Sequence, residues 1–184
     1  CNKRCEEACT RATLDEAVAI DDVKRFIAQK DLDSKTRYIP KKIIPSNRGE
    51  FKNKIAIIGG GPAGLSCAYY LALTGYRPIV FEKNEKPGGM LTYGIPSYKL
   101  EKDVVEAEID IIRALGVEIK CGVEVGKDIT LDELGKDGYE AFYIAIGCQG
   151  SRKSGVDGED ADGVMSAVDI LHEIAENHDL DLKG

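Results

Sequence analysis

One stretch of the chain restricts its fold more than any other, the segment KIAIIGGGPAGLSCAYYLALTGYRPIVFEK from Lys54 to Lys83. Its first residues are apolar in succession, which is typical of a strand covered on both faces in a parallel sheet. A glycine-rich turn follows, and then an apolar segment of helical length. Gly75 comes directly after this segment, where glycine commonly ends a helix. A second apolar run follows Gly75. The segment therefore predicts a strand, a helix from Pro62 to Thr74 and a second strand.

The turn after the first strand contains three glycines, Gly59, Gly61 and Gly64, in the pattern G-x-G-x-x-G. In a dinucleotide site the first permits the tight turn, the second lets a pyrophosphate approach the backbone, and the third lets the helix pack against the strand. The free N–H groups of the helix N-terminus then favour phosphate binding. Glu82 lies at the end of the second strand, where an acid hydrogen-bonds a ribose 2′-hydroxyl and repels a 2′-phosphate.

This pattern predicts a dinucleotide site but leaves NAD and FAD open, and a glycine-rich turn without a ligand remains the alternative. Two features favour FAD. The loop KPGGMLTYGIP follows closely after Glu82 and could pass a long cofactor beneath backbone amides. The apolar strand YEAFYIAIG ends at Gly147, where the backbone could lie against a flat ring. Both features are also compatible with ordinary loop and strand ends.

The remaining sequence alternates strands with helices. GVEIKC and YEAFYIAIG are predicted as the third and fourth strands, residues 101–115 and 166–177 as helices, and PGGMLTYGIP as an irregular loop. This alternation predicts an α/β fold with a doubly wound parallel sheet. Residues 1–34 form a predicted helical segment, residues 35–52 an extended basic linker, and residues 53–184 the α/β domain.

Three cysteines near the start of the chain, Cys1, Cys5 and Cys9, are spaced four residues apart. Apolar residues repeat at helical spacing between positions 20 and 27, and we expect residues 1–32 to be helical. On a helix the cysteines would share one face. Thiolates are soft ligands that suit iron–sulfur clusters or zinc. Both sites usually take four ligands, so three reduced thiols without a metal remain the alternative.

Charge and hydropathy argue against several classes of function. The net charge of −7 disfavours duplex nucleic acid as a partner of the whole chain. No apolar run approaches the roughly 20 residues that a membrane-spanning helix needs. The chain opens on charged, cysteine-bearing sequence in place of a signal peptide, which predicts a cytoplasmic protein. It also opens without Met, so we expect it to be part of a longer protein.

Several of these motifs together resemble the glutamate synthase small (beta) subunit family and related FAD- and iron–sulfur-dependent NAD(P)H oxidoreductases. The resemblance covers nearly the whole chain, through CNKRCEEACTR, VAIDDVKRFI, IAIIGGGPAGLSCAYYLALTGYRPIVFEK and the specific signature PGGMLTYGIPSYKL. VEVGKDIT, YEAFYIAIGCQGSRK and GVMSAVDIL match in the same order. The resemblance implies a Rossmann-like FAD-binding domain preceded by a small all-α segment of the iron–sulfur type.

The resemblance also implies particular site residues. The FAD pyrophosphate would lie on the glycine turn, the ribose on Glu82, the adenine near Val125 and the flavin near Gly147. Cys1, Cys5 and Cys9 would be divided between two [4Fe–4S] clusters, and no catalytic side chain is assigned. The implied FAD-binding residues are Gly59, Gly61, Pro62, Ala63, Gly64, Glu82, Lys83, Gly89, Met90, Leu91, Val125 and Gly147.

The family's activity, by resemblance, moves electrons from NAD(P)H through FAD to the iron–sulfur clusters and a partner subunit, such as the glutamate synthase large subunit. A second nucleotide unit for NAD(P)H and a returning flavin-domain segment are expected to lie outside this chain, which we therefore expect to be inactive alone. Two alternatives stay open, a non-catalytic electron-relay or docking module and a plain NAD-binding dehydrogenase domain.

Overall fold

The computed structural model describes residues 2–44 and 49–176 of the chain. These residues fall into two compact units, the first ending at Tyr38 and the second starting at Ile39. Cys1, residues 45–48 within the predicted linker, and the predicted end of the last helix at Asn177 lie outside the described residues.

The first unit is helical, with three elements in chain order: α1 (Arg4–Glu7), a short 3₁₀ helix (Thr10–Thr13) and α2 (Ile20–Leu32). The carboxylate of Glu6 accepts a hydrogen bond of 2.9 Å from the backbone N–H of Asp21 and so links α1 to the start of α2. The predicted helix at positions 20–27 is confirmed. The prediction of helix throughout residues 1–32 is wrong, because the backbone leaves helical geometry between α1 and α2.

The second unit is built on a parallel sheet of four strands: β1 (Lys54–Ile58), β2 (Arg77–Glu82), β3 (Glu118–Cys121) and β4 (Tyr139–Ile144). Their spatial order is β3-β2-β1-β4. In the register, Ile58 pairs with Phe81 on one side and with Ile144 on the other. The carboxyl ends of β1, β2 and β4 therefore meet at one edge of the sheet. The predicted parallel α/β sheet is confirmed.

Helices flank this sheet, in the order α3 (Pro62–Leu73), α4 (Met90–Tyr93), α5 (Lys102–Ala114), α6 (Leu131–Lys136) and α7 (Ala167–Ala175). On one face, Ile57 and Val80 of the sheet pack against Ala68 of α3. On the other, Ile58 and Phe81 pack with Leu134 of α6. Both faces of the sheet are covered at β1 and β2, whereas β4 is exposed after Tyr139, and this explains why β1 is apolar on successive residues.

Two local predictions need correction, and one helix was not predicted. The segment PGGMLTYGIP is not wholly irregular, because α4 forms one helical turn within it. Strand β4 ends at Ile144, so Gly147 lies beyond the strand, with a positive φ of 71°. Helix α6 was not predicted, although Thr130 and Glu133 form a complete capping box at its start. The sequence T-x-x-E was the signal that could have located it.

Candidate functional site

The first glycine turn (residues 59–61) follows β1 directly and is shaped by close backbone contacts. Gly59 has a φ of +108°, and a Cβ at this position would lie 2.3 Å from the carbonyl oxygen of Ala145. A Cβ at Gly64 would lie 1.9 Å from the carbonyl oxygen of Gly59, so α3 rests against the turn. At Gly61 the nearest atom would be the Cα of Gly89, 3.8 Å away. The contacts of Gly59 and Gly64 agree with a tight turn and with close packing of α3, and the space beside Gly61 leaves its backbone accessible.

Helix α3 begins at the end of this turn. Gly61 is its N-cap residue and Pro62 its first residue, which suits proline because the missing N–H would have no helical acceptor. The N–H groups of Ala63 and Gly64 belong to the first turn, where the helix itself offers no acceptor. The positive end of the helix dipole therefore points out of the protein at the carboxyl edge of the sheet, in the arrangement that binds phosphate.

Glu82 ends β2 and is 5% exposed. Its Oε2 accepts a 2.7 Å hydrogen bond from the N–H of Gly60, and its Oε1 accepts one of 2.9 Å from the N–H of Asn84. A buried carboxylate is tolerated when it is hydrogen-bonded in this way. Glu82 thus holds the first glycine turn in place and presents its carboxylate beside it.

The second glycine turn (residues 88–89) contacts the first. The N–H of Gly88 donates a 2.7 Å hydrogen bond to the carbonyl of Gly60. Gly88 and Gly89 both have positive φ, and a Cβ at Gly89 would lie 2.9 Å from the Cα of Gly61. The two turns therefore form one continuous backbone surface at the carboxyl ends of β1 and β2.

A cleft of about 500 Å³ opens on this surface and continues past the ends of β1 and β4. Ten of the twelve predicted cofactor residues line it, the exceptions being Gly64 and Leu91. Gly64 lies beneath the first glycine turn. Leu91 points away from the cleft and packs with Leu65 and Val105. The predicted residues that line the cleft are Gly59, Gly61, Pro62, Ala63, Glu82, Lys83, Gly89, Met90, Val125 and Gly147.

Other lining residues were not among the predicted cofactor-binding residues. They are Ile58, Phe81, Asn84, Val123, Glu124, Ala145, Ile146, Cys148 and Gln149. Most lie at or just after the carboxyl ends of parallel strands, where ligands of open α/β sheets bind. Position relative to a predicted strand end was the signal that could have identified them.

Cys5 and Cys9 do not share one helix face. Cys5 lies within α1, whereas Cys9 has extended backbone angles and precedes the 3₁₀ helix; Cys1 lies outside the described residues. Hydrogen bonds from the backbone N–H group of Val18 and, to a smaller extent, from that of Arg11 lower the pKa of the Cys9 thiol. Among residues 2–44 and 49–176, no group of three or more His, Cys, Asp and Glu side chains is arranged to hold a metal ion.

The β-α-β unit, the paired glycine turns and the acid at the end of β2 define a Rossmann-type dinucleotide-binding domain. A family model described as an NAD(P)-binding Rossmann-like domain matches residues 57–112, from β1 into α5. Among solved structures, that of Mycobacterium tuberculosis FprA in complex with NADPH is similar in fold, with a TM-score of 0.58 and 23% identity. The similarity covers 66% of this chain and 28% of that one.

Two curated relatives are more similar in sequence. The subunit beta of NADP(+)-dependent formate dehydrogenase from Moorella thermoacetica is 40% identical over 192 residues, covering 95% of this chain and 27% of that protein. The glutamate synthase [NADPH] small chain of Escherichia coli K12 is 38% identical over 172 residues, covering 92% of this chain and 35% of that protein.

Over most of its length the chain is homologous, at about 38–40% identity, to glutamate synthase small subunits and to a related NADP-dependent oxidoreductase beta subunit. It spans between about a quarter and a third of the length of these curated relatives. In the described part of the chain, the helices are all too short or too polar to cross a membrane.

Proposed function

We propose that the cleft binds FAD. We further propose that, in a protein of the relatives' full length, this domain carries electrons from NAD(P)H through FAD to iron–sulfur clusters and a partner subunit, as a small subunit of the glutamate synthase type. The observation that supports this best is the joining of the two glycine turns by the Gly88–Gly60 hydrogen bond. It extends the phosphate-binding backbone of a simple G-x-G-x-x-G turn into a longer surface, as a cofactor with a flavin beyond its pyrophosphate needs.

The lining residues fit such a cofactor. The first-turn N–H groups of α3 would hold the pyrophosphate, because they are oriented for an anion and no side chain lies between them and the cleft at Gly61. The carboxylate of Glu82 would accept a hydrogen bond from a ribose hydroxyl. Val123 and Val125 offer apolar surface to the adenine, and the backbone at Gly147 would lie along the flavin.

When bound, FAD would supply the redox chemistry, since a flavin takes up two electrons from a nicotinamide and can release them singly. The residues of this chain would bind and orient it and exclude water from the apolar part of the cleft. We assign no acid, base or nucleophile among them. The activity then depends on a nicotinamide site and an electron acceptor that the described residues do not supply.

We also propose that Cys1, Cys5 and Cys9 bind iron–sulfur clusters in the complete protein. Thiolate is the ligand that these clusters require, and the lowered pKa of Cys9 favours it. The relatives are called a small chain and a subunit beta, which supports an electron-accepting partner subunit for this protein as well. A cytoplasmic location stays a prediction.

A second candidate is a nicotinamide dinucleotide in the same cleft, which is favoured by the match to an NAD(P)-binding domain. The buried Glu82 carboxylate then predicts NAD over NADP, because it would repel a 2′-phosphate. In this case the domain would be that of a plain dehydrogenase.

Equilibrium titration separates the two candidates. We expect purified protein to bind FAD, read by quenching of flavin fluorescence, and to bind NAD⁺ and NADP⁺ much more weakly. Glu82→Gln should weaken FAD binding about tenfold, since one charge-assisted hydrogen bond is worth about 1.5 kcal/mol or more. Glu85→Gln is the matched control, because Glu85 is exposed and lies outside the cleft lining. Tight binding of NAD⁺ without binding of FAD would establish the second candidate instead.

A protein of full length tests the electron path. NAD(P)H should reduce its bound flavin, seen as loss of visible absorption under anaerobic conditions. Flavin that binds but is not reduced by NADH or NADPH would support the relay or docking module in place of the enzyme.

A further inference from the structure

Lys102 makes an unusual contact for a lysine. It is the first residue of α5, and its Nζ donates a 2.8 Å hydrogen bond to the carbonyl of Leu91 and a second hydrogen bond to the carbonyl of Ile95. The side chain is half-buried, and burial lowers the pKa of the ammonium. An ammonium removed from water needs such acceptors, because it has three N–H donors to satisfy.

Of the two carbonyls that Lys102 contacts, that of Leu91 lies within α4 and that of Ile95 follows the C-cap residue Gly94. The last carbonyls of a helix have no helical donor, and a cation there also compensates the negative end of the dipole. A helix of one turn is not stable by itself, because nucleation fixes several residues for a single hydrogen bond. Helix α4 therefore depends on contacts from outside it, and Lys102 supplies the charged ones.

Helix α4 starts where the second glycine turn ends. Its N-cap is Gly89 and its first residue is Met90, and both line the cleft. Gly89 also approaches Gly61 so closely that a Cβ would lie 2.9 Å from the Gly61 Cα. A small displacement of α4 would therefore change the separation of the two glycine turns.

We propose that Lys102 is a positioning residue of the cofactor cleft: by holding the carbonyls of Leu91 and Ile95, it fixes the second glycine turn against the first. The inference rests on the proposed FAD site for its functional meaning. Lys102 is not among the residues that line the cleft, so it would act through α4. Thr92 also contributes to holding α4 in place, because its hydroxyl donates a hydrogen bond to the carbonyl of Pro87.

The test compares Lys102→Met with the wild type in two measurements. Hydrogen exchange of the protein without FAD should show faster exchange of the amides in residues 92–95, which are bonded to Gly89 and Met90 carbonyls. FAD affinity should fall about tenfold to a hundredfold, the range that a lost hydrogen bond to a charged group implies. The visible circular dichroism of bound flavin should also change, because the wall formed by Gly89 and Met90 shifts.

Two further variants serve as controls. Lys99→Met makes the same chemical change at an exposed lysine that lies over the Tyr98 ring, and it should leave both measurements unchanged. Lys102→Arg keeps a charged donor and should restore FAD affinity and the dichroism of the wild type. Lys102→Gln provides a milder variant if Lys102→Met does not fold.

Each outcome is decisive. Wild-type exchange and affinity in folded Lys102→Met would overturn the positioning role and leave the proposed FAD site intact. Unfolding of both neutral variants would also overturn it, because Lys102 would then stabilise the whole domain. If the wild type does not bind FAD, the proposed function fails, while the exchange measurement still shows whether Lys102 holds α4.

Discussion

At the scale of single residues, the site depends on positions where a side chain has no room. Gly59 and Gly64 each face a backbone carbonyl at a distance that excludes a Cβ. Glu82 complements them from the next strand by holding the N–H of Gly60. The shape of the first glycine turn therefore depends on the Glu82 carboxylate and on the lack of a Cβ at Gly59 and Gly64. A single substitution can test each of these three residues.

Gly64→Ala should destabilise the protein, although alanine is ordinarily the better helix former. The new Cβ would lie 1.9 Å from the carbonyl oxygen of Gly59, and we expect a loss of about 2–3 kcal/mol in the free energy of unfolding, as for overpacked sites. Gly135→Ala is the matched control. Gly135 lies in α6 with open space around it, so this change should stabilise by about 0.5–1 kcal/mol. Denaturant unfolding measures both; equal stability of Gly64→Ala and the wild type would contradict the close packing.

Cys9 should be the more readily ionised thiol in metal-free protein. Hydrogen bonds from the N–H groups of Val18 and Arg11 lower the pKa of Cys9, whereas burial raises the pKa of Cys67 and of Cys121. The rate of alkylation of Cys9 should therefore rise at a pH below that of an ordinary cysteine, about 8.5, and the rates at the other two above it. Peptide mass spectrometry over a pH series measures these rates. Alkylation of Cys67 or Cys121 that rises at a lower pH than alkylation of Cys9 would contradict the prediction.

At the scale of elements, the short helices α4 and α6 form for different reasons. Helix α6 carries its own local signal, since Thr130 and Glu133 satisfy each other's backbone N–H groups. Helix α4 has no such signal and depends on contacts from Lys102, Thr92 and the hydroxyl of Tyr93, which accepts a hydrogen bond from the N–H of Lys86. A sequence pattern can reveal the first kind of helix but not the second.

Thr130→Ala should cost about 1 kcal/mol of stability, the usual effect of losing an N-cap side chain. Thr130→Ser retains the hydroxyl and is the matched control. The N–H and hydroxyl of Thr130 lower the pKa of Glu133. The ionised carboxylate therefore contributes stability above its unfolded pKa of about 4.3, and this contribution is lost as the pH falls through the lower folded value. The difference between wild type and Thr130→Ala should narrow in acid; an unchanged difference below pH 3 would contradict this coupling.

At the scale of the whole molecule, the proposed FAD site and the proposed iron–sulfur ligands belong to different units. Every lining residue of the cleft belongs to the second unit, and the cysteines of the predicted cluster segment belong to the first. The proposed FAD site is therefore independent of the first unit in its residues, whereas the proposed electron transfer would involve both units.

Removal of the residues before Ile39 should leave FAD affinity unchanged, because the deletion touches no lining residue. The same deletion should abolish any iron bound after reconstitution with iron and sulfide. Flavin fluorescence titration and iron analysis of the two proteins measure these outcomes. Loss of FAD binding in a truncated protein that retains its far-ultraviolet circular dichroism would show that the FAD site depends on the first unit, and would contradict this prediction.

Much of the α/β domain could be predicted from the sequence, because its signals are local. The apolar run of β1, the glycines of the first turn and the acid Glu82 lie within one short segment. For Ala145 and Ile146 the sequence offers only their position after a predicted strand end; that this strand end lies beside β1 depends on pairing between distant parts of the chain. That the partly buried Leu91 packs against the core and does not line the cleft likewise depends on how α4 packs.

The two hydrogen bonds of Glu82 have a consequence for engineering. A designer who wished to make this cleft accept a 2′-phosphorylated nucleotide would begin by removing the acid. A replacement without an acceptor would also release the N–H of Gly60 and remove the contact that shapes the phosphate-binding turn. Charge and shape are thus tied to one side chain, so a change of cofactor here requires a replacement that is uncharged and still offers an oxygen acceptor to Gly60.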